Sequence, residues 1–164
     1  MIFGMTTFTF VHVLLSLVGI GSGLIVALGM LAAKRFDGLT EVFLATTVLT
    51  SVTGFLFPYH GSLPSYAVGV LSLIVLAIAI FARYSRHLAG GWRRTYVITS
   101  VIALYLNVFV FVIQLFEKVP GLKAMAPTQS EPPFKPTQLV VLVLFLALGV
   151  FASIRFRNEQ FRIA

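Results

Sequence analysis

Apolar runs and short polar breaks alternate along this chain of 164 residues. A membrane-spanning helix needs roughly 17–25 mostly apolar residues to cross a hydrocarbon core of about 30 Å. Five runs meet or approach that length, and they lie at about 8–32, 40–57, 66–82, 95–116 and 138–154. The pattern therefore predicts an all-α integral membrane protein, with residues 1–164 forming one bundle of five transmembrane helices.

The second run is the most polar of the five. It is rich in threonine, and it is near the short end of the length range. One alternative is a four-helix protein in which this segment is re-entrant or lies at the membrane interface. Its threonines are Thr46, Thr47, Thr50 and Thr53.

The long polar break is residues 117–137, EKVPGLKAMAPTQSEPPFKPT, which contains five of the seven prolines. A loop of this length in a small protein is usually either a functional lid or a linker. Leu122, Met125 and Phe134 can pack against the bundle, so we predict an ordered lid. We also predict that Glu131 is held by a basic or donor group, the candidates being Lys118, Lys123, Lys135 and His60.

Composition supports the membrane assignment. The chain is 59% hydrophobic and 10% charged, whereas soluble domains average about 25% charged residues. It contains no cysteine, which excludes disulfides, thiolate nucleophiles, iron–sulfur clusters and thiolate metal sites.

The basic residues predict the orientation. Cytoplasmic loops of membrane proteins are enriched in Lys and Arg. With the N-terminus periplasmic and the C-terminus cytoplasmic, the cytoplasmic side holds nine of the twelve basic residues: Lys34, Arg35, Arg83, Arg86, Arg93, Arg94, Arg155, Arg157 and Arg162. The net charge of +7 thus has its origin in topology, and no nucleic-acid partner is predicted. Lipid headgroups are the predicted contacts of four arginines, Arg83, Arg86, Arg93 and Arg94.

Polar and small residues recur at helical spacing within the spans. In the first span they are His12, Ser16, Gly19, Gly23 and Ala27. The Gly19-xxx-Gly23 spacing allows a close helix approach, either within this bundle or at the seam of a dimer. Span four carries a similar stripe, formed by Ser100, Ala103, Asn107 and Gln114.

A polar residue within a span is a candidate functional site and should face the bundle interior. Several such residues are predicted near the periplasmic ends of their helices, beneath the lid. The predicted ligand-binding set is His12, Thr53, His60, Asn107, Gln114 and Glu131. This site would suit a quinone, a haem or a lipid headgroup, and the sequence leaves the cofactor unidentified. The alternative is a set of hydrogen bonds that only hold the helices together.

The histidines do not predict a metal site, because His12, His60 and His87 lie at three different depths. No acidic residue lies in the middle of a span, and ion-coupled carriers usually keep one there. No phosphate-binding, nucleophile-elbow or zinc-hydrolase motif is present. The sequence gives no support for an enzyme.

The segments VHVLLSLVGIGSG, FLATTVLTSVTGF, YLNVFV and APTQSEPPF resemble a family of small, uncharacterised polytopic inner-membrane proteins of proteobacteria. The resemblance covers nearly the whole chain, and residues 126–134 are its most specific part. It implies a multi-pass protein of the bacterial inner membrane and supplies no activity to carry over.

The leading hypothesis is a non-enzymatic accessory or assembly subunit that binds a lipid, a cofactor or a partner protein at its periplasmic face. Its partners would be the lipid bilayer and either a larger membrane protein complex or further copies of itself. Two alternatives remain: a protomer of an oligomeric transporter or channel, and a haem- or quinone-binding redox protein.

Overall fold

The computed structural model describes residues 6–57 and 63–156, and for residues 63–65 only the backbone is described. These residues form α-helices and one π-helical turn, with no strand among them. The elements are α1 (Thr7–Leu31), α2 (Asp37–Gly54), α3 (Leu63–Ile80) with its π-helical turn (Phe81–Ser85), α4 (Gly91–Lys118), α5 (Pro120–Met125) and α6 (Phe134–Arg155).

Four of these elements are long and apolar enough to cross a membrane. They are α1, α3 together with its π-helical turn, α4 and α6. The predicted all-helical membrane class is thus confirmed at the level of four candidate spans. The predicted second span exists as the 18-residue helix α2, but its acidic residues Asp37 and Glu41 and its threonines lower its hydropathy. A fifth crossing and the orientation of the chain stay predictions.

Hydroxyl groups explain how α2 tolerates its polar composition. The side chains of Thr40, Thr46, Thr50, Ser51 and Thr53 each donate to the carbonyl four residues earlier, at 2.6–2.9 Å. A hydroxyl bonded in this way is satisfied within its own helix. It therefore needs neither water nor a neighbouring helix to be buried in an apolar medium.

Helix α4 is the centre of the bundle. It packs against α1, α3 and α6, while α1 packs along α2 over the most extensive contact in the bundle. The main apolar core lies where these helices meet, around Phe43, Leu76, Tyr96 and Leu104, each 1% exposed. Most of α6 faces outward with large apolar side chains, as expected for a surface covered by lipid acyl chains.

The bundle has two chemically different ends. Residues 117–137, here called the cap, join α4 to α6 at one end, which we call the cap end. The turns that carry Lys34, Arg35 and the arginines of residues 83–94 lie at the other, the arginine end. His60, Arg157 and Arg162 fall outside the described residues.

Two elements were not predicted. The π-helical turn extends α3 by five residues, and it includes Arg83. The helix α5 begins with Pro120 in its first turn, a position where the missing amide costs nothing and the fixed φ favours a helix. The predicted cap is therefore partly helical.

Candidate functional site

Three helices meet along a line of mostly polar and small residues, interrupted by one apolar layer, and we call this line the polar seam. The spacing of three or four residues keeps each helix's contribution on one face. The seam is formed by His12, Ser16, Gly19 and Gly23 of α1, by Asp37, Thr40, Phe43, Thr46, Thr47 and Thr53 of α2, and by Tyr96, Ser100, Leu104 and Asn107 of α4, with Arg83 at its arginine end.

His12 and Thr53 close the seam at the cap end. Their Nδ1 and Oγ1 atoms lie 2.8 Å apart. With the Thr53 hydroxyl hydrogen directed to the carbonyl of Leu49, at 2.7 Å, Nδ1 of His12 is the donor in this pair. In the neutral imidazole, Nε2 then carries the lone pair and is free to accept. Phe57 packs edge-on against the His12 ring, with centroids 4.9 Å apart.

Asn107 lies about one helical turn further from the cap end than His12, at the level of Ser16. Its Oδ1 accepts from Ser16 Oγ at 3.0 Å, and the residue is only 8% exposed. Gly19 of α1 lies next to Asn107, Thr46 and Thr47. A β-carbon there would lie 3.1 Å from Thr47 Oγ1, 3.2 Å from Asn107 Nδ2 and 3.2 Å from Thr46 Oγ1. The missing side chain of Gly19 is what lets these polar atoms approach α1.

An apolar layer follows. A β-carbon on Gly23 would lie 2.7 Å from Leu104 Cδ1 and 2.7 Å from Cδ2 of the Phe43 ring. Phe43 and Leu104 are each 1% exposed. Gly23 is therefore required for both side chains to reach the backbone of α1, and together they separate the polar groups on either side.

A second polar group lies beyond this layer, towards the arginine end. Tyr96 is 1% exposed, and its hydroxyl is close to those of Thr40 and Ser100 without meeting either at hydrogen-bond geometry. Arg83 stacks beside the Tyr96 ring, with Cζ 5.7 Å from the centroid. Its Nη2 binds Asp37 Oδ1 at 2.5 Å. The Arg83 side chain is 10% exposed, whereas that of Asp37 is 67% exposed, so the ion pair joins the buried seam to the surface.

The predicted ligand-binding residues are only partly brought together. His12 and Thr53 are in contact, and Asn107 lies next along the same seam. Gln114 is exposed on α4, and Glu131 lies in the cap. His60 lies outside the described residues.

The cap packs on α4, and two of the three side chains predicted for this contact, Phe134 and Leu122, take part in it. Phe134 packs edge-on against Phe116, with centroids 5.3 Å apart, and Leu122 joins the same apolar cluster. The prediction for Met125 was wrong, since it is 58% exposed and Ala126, at 1%, takes the buried position. A turn of α5 presents only one side to α4, and the smaller residue fits the close contact.

Two glutamines fasten the cap and the start of α6 to α4. Gln129 Nε2 donates to the carbonyl of Ile113 at 3.2 Å, and Gln138 Nε2 donates to that of Phe109 at 3.1 Å. Among the helices, α5 packs against α4, while His12 and Thr53 lie on α1 and α2. The cap thus packs on α4 and the start of α6. In the part of the chain that the structure describes, it does not cover His12 as the predicted lid would.

Glu131 is held by donors of the cap itself, and none of the three predicted lysines binds it in the part of the chain that the structure describes; His60 lies outside that part. Its carboxylate accepts from Thr128 Oγ1 at 2.7 Å and from the amides of Thr128 and Ser130 at 3.3 and 3.2 Å. The hydrogen bond from the Thr128 side chain is the main cause that lowers the pKa of Glu131, assisted by the two amides. Hydrogen-bond donors of the same turn therefore hold the carboxylate, where a more distant cation was predicted to do so.

The four arginines predicted to meet lipid headgroups divide into two kinds. Arg86 and Arg94 are exposed, and Arg86 also stacks on Trp92 at 5.1 Å. Arg83 is committed to Asp37, and Arg93 donates to the carbonyl of Phe156 at 3.4 Å. A headgroup would compete with an internal hydrogen bond at Arg83 and at Arg93.

Sequence reasoning missed the Arg83–Asp37 pair and the buried hydroxyls of Thr40, Thr47 and Tyr96. The seven-residue separation of Thr40 and Thr47 was a usable signal, because it places both on the face that also carries Phe43. Arg83 could not be found in this way, since the π-helical turn shifts the register of the residues after Ile80.

No group of three histidine, aspartate or glutamate side chains arranged to hold a metal ion occurs among the described residues. No protein-family model, curated protein or solved structure matches this chain. The resemblance to small proteobacterial inner-membrane proteins therefore stays a prediction.

Proposed function

We propose that this protein is a non-enzymatic accessory subunit of the bacterial inner membrane, which binds a partner membrane protein through its cap. The carrying observation is that the cap is packed and hydrogen-bonded onto α4 yet displays apolar side chains. Val119 and Met125 are 41% and 58% exposed, on a segment held in place by Phe134, Ala126 and Gln129. A preorganised surface loses little entropy on binding, and methionine is enriched at protein interfaces.

The charges of the cap favour an acidic partner. Lys118, Lys123 and Lys135 are exposed, while the carboxylate of Glu131 is occupied by Thr128 and Ser130. Complementary charge steers association and selects partners. The partner in this proposal is a protein with an acidic surface near the membrane, ahead of a lipid or a second copy of this chain.

Crosslinking tests the partner. The chain has no cysteine, so Met125→Cys introduces a unique thiol in the cap, and His87→Cys places one at an exposed position of the arginine end. With a thiol-to-amine crosslinker in native membranes, we expect a discrete heteromeric adduct from Met125→Cys and none from His87→Cys. A homodimer alone, or the same products from both variants, would reject the proposal.

The five-helix topology with a periplasmic N-terminus is part of this proposal. The self-satisfied hydroxyls of α2 support a fifth crossing, because they remove much of the cost of burying its threonines. Cysteines at Thr6, Lys34, Leu56, His87 and Met125 can be probed in intact cells with an impermeant maleimide. We expect labelling at Thr6, Leu56 and Met125 and protection at Lys34 and His87. Equal accessibility of Lys34 and Leu56 would show that α2 does not cross.

A second candidate function is binding of a redox cofactor at His12. It is favoured by the Thr53 contact, which engages Nδ1 of the imidazole and leaves Nε2 as the nitrogen that would meet a quinol hydroxyl or a haem iron. We expect a haem to give a visible absorption band, and a quinone to appear in the organic extract of the purified protein. His12→Leu should remove either. Unchanged cofactor content, with unchanged thermal stability, would leave His12 a packing residue.

A further inference from the structure

Unpaired polar atoms are concentrated in the polar seam. Among the described residues, the buried side-chain atoms without a hydrogen-bond partner include Arg83 Nε, Tyr96 Oη, Ser100 Oγ, Thr47 Oγ1 and Asn107 Nδ2. All five can donate a hydrogen bond. Buried donors left unpaired in an apolar medium are costly, so their alignment along one line requires an explanation other than packing.

These atoms fall into two groups on opposite sides of one apolar layer. Asn107 and Thr47 lie on the cap side of Phe43 and Leu104, and Tyr96, Ser100 and Arg83 lie on the arginine side. The layer is tight because Phe43 and Leu104 press on the backbone of Gly23. In channels, an apolar constriction between polar segments gates the path by excluding water.

The seam also reaches both ends of the bundle. At the arginine end it meets Asp37, whose side chain is 67% exposed, and at the cap end it meets the partly exposed His12. From Asp37 to Thr53 along α2 the distance is about 24 Å at 1.5 Å per residue. This is most of the roughly 30 Å thickness of a hydrocarbon core.

From these relationships we propose that the polar seam is a closed path for protons carried on water, gated by Phe43 and Leu104 against Gly23. The inference goes beyond the accessory role, and it rests on α2 crossing the membrane beside α1 and α4. When the Phe43 ring turns away from Gly23, water joins the two polar groups.

The chemistry of the seam suits protons. The hydroxyls of Ser16, Thr47, Ser100 and Tyr96 both donate and accept, so they can order a chain of water molecules. A proton taken up at one end is matched by one released at the other, and only O–H and N–H bonds are exchanged. Asp37 neutralises Arg83 at the entrance, which removes the positive charge that would otherwise repel a proton.

Proton flux into vesicles tests the proposal. The full-length protein is reconstituted into liposomes containing a pH-sensitive dye, and a potassium gradient with valinomycin drives protons inward. We expect slow flux for the wild type. For Phe43→Ala we expect roughly a tenfold increase, equivalent to about 1.4 kcal/mol in barrier height. Adding Asn107→Leu to Phe43→Ala should return the flux to the wild-type rate.

A matched cavity provides the control. Phe116→Ala removes the same side chain from a residue 5% exposed in the separate cluster beneath the cap, and it should leave the flux unchanged. Leu104→Ser places a hydroxyl group in the same apolar layer and should also let water enter. This second variant keeps the proposal testable if Phe43→Ala does not fold. Helical content and gel-filtration profile establish folding. If both gate variants conduct no more than Phe116→Ala, or if Asn107→Leu does not reduce the flux, the proposal is wrong.

Discussion

Arg83 binds Asp37 across 46 residues of sequence, with Nη2 and Oδ1 2.5 Å apart. The pair ties the first residue of α2 to the π-helical turn that follows α3. The Arg83 side chain is nine-tenths buried and that of Asp37 is mostly exposed, so the two partners do not contribute symmetrically.

This asymmetry predicts unequal effects of removing either partner. Asp37→Asn leaves the largely buried guanidinium without its counter-charge, and we expect a loss of about 1–2 kcal/mol in the free energy of unfolding, between the values for exposed and buried pairs. Arg83→Met removes the buried charge itself and should cost less. Reversible unfolding in detergent measures both. Equal losses, or a larger loss for Arg83→Met, would contradict the assignment.

Gly23 and Gly21 form a matched pair on α1. We expect Gly23→Ala to destabilise the protein by about 1–3 kcal/mol, the usual cost of overpacking, because its methyl group meets Phe43 and Leu104 at 2.7 Å. Gly21 faces open space, so Gly21→Ala should be neutral or stabilise α1 by about 0.5–1 kcal/mol. Thermal unfolding of the two variants in the same detergent decides. Similar effects at both positions would mean that α1 does not approach α2 and α4 at Gly23.

Ser16 and Asn107 should be energetically coupled. A double-mutant cycle of Ser16→Ala and Asn107→Leu is expected to give about 0.6 kcal/mol, typical of hydrogen bonds between transmembrane helices. Ser22→Ala is the control, since the Ser22 hydroxyl donates to Val18 of its own helix at 2.6 Å. Coupling of Asn107 to Ser22 as large as to Ser16 would indicate a general loosening of α1 rather than a specific contact.

Protonation of Glu131 should loosen one turn of the cap. Its pKa lies below the ordinary value of 4.5, chiefly because Thr128 donates to the carboxylate. A lowered pKa in the folded state stabilises the turn fully above pH 4.5, and this contribution is lost as the pH falls towards the lower folded value. We expect the protection of the Thr128 and Ser130 amides from hydrogen exchange, corrected for the intrinsic rates, to fall over that range.

Glu131→Gln supplies the comparison, because an amide cannot titrate there. Its protection should be low and independent of pH over the same range. If Glu131→Gln shows the same pH dependence as the wild type, another group controls the turn.

The sequence predicted most of the helices because apolar length and helical spacing are local properties. It also placed His12, Ser16, Gly19 and Gly23 on one face, and that face does meet the other helices. It failed where a contact depends on three-dimensional neighbours. Gln114 lies seven residues after Asn107 in the same predicted stripe, yet Asn107 is buried and Gln114 is exposed. Glu131 finds its donors one and three residues away, at Ser130 and Thr128, and hydropathy and charge counting do not reveal such local contacts.

The self-satisfied hydroxyls of α2 have a consequence for biogenesis. A threonine that donates to its own helix is ready for the lipid as soon as that helix forms, before any later segment has been synthesised. His12 can then bind Thr53 within the first hairpin, α1 with α2, while α4 is still unmade. Asn107 follows with α4 and finds Ser16 already in place. The order in which the chain leaves the ribosome is therefore also the order in which its polar groups acquire partners.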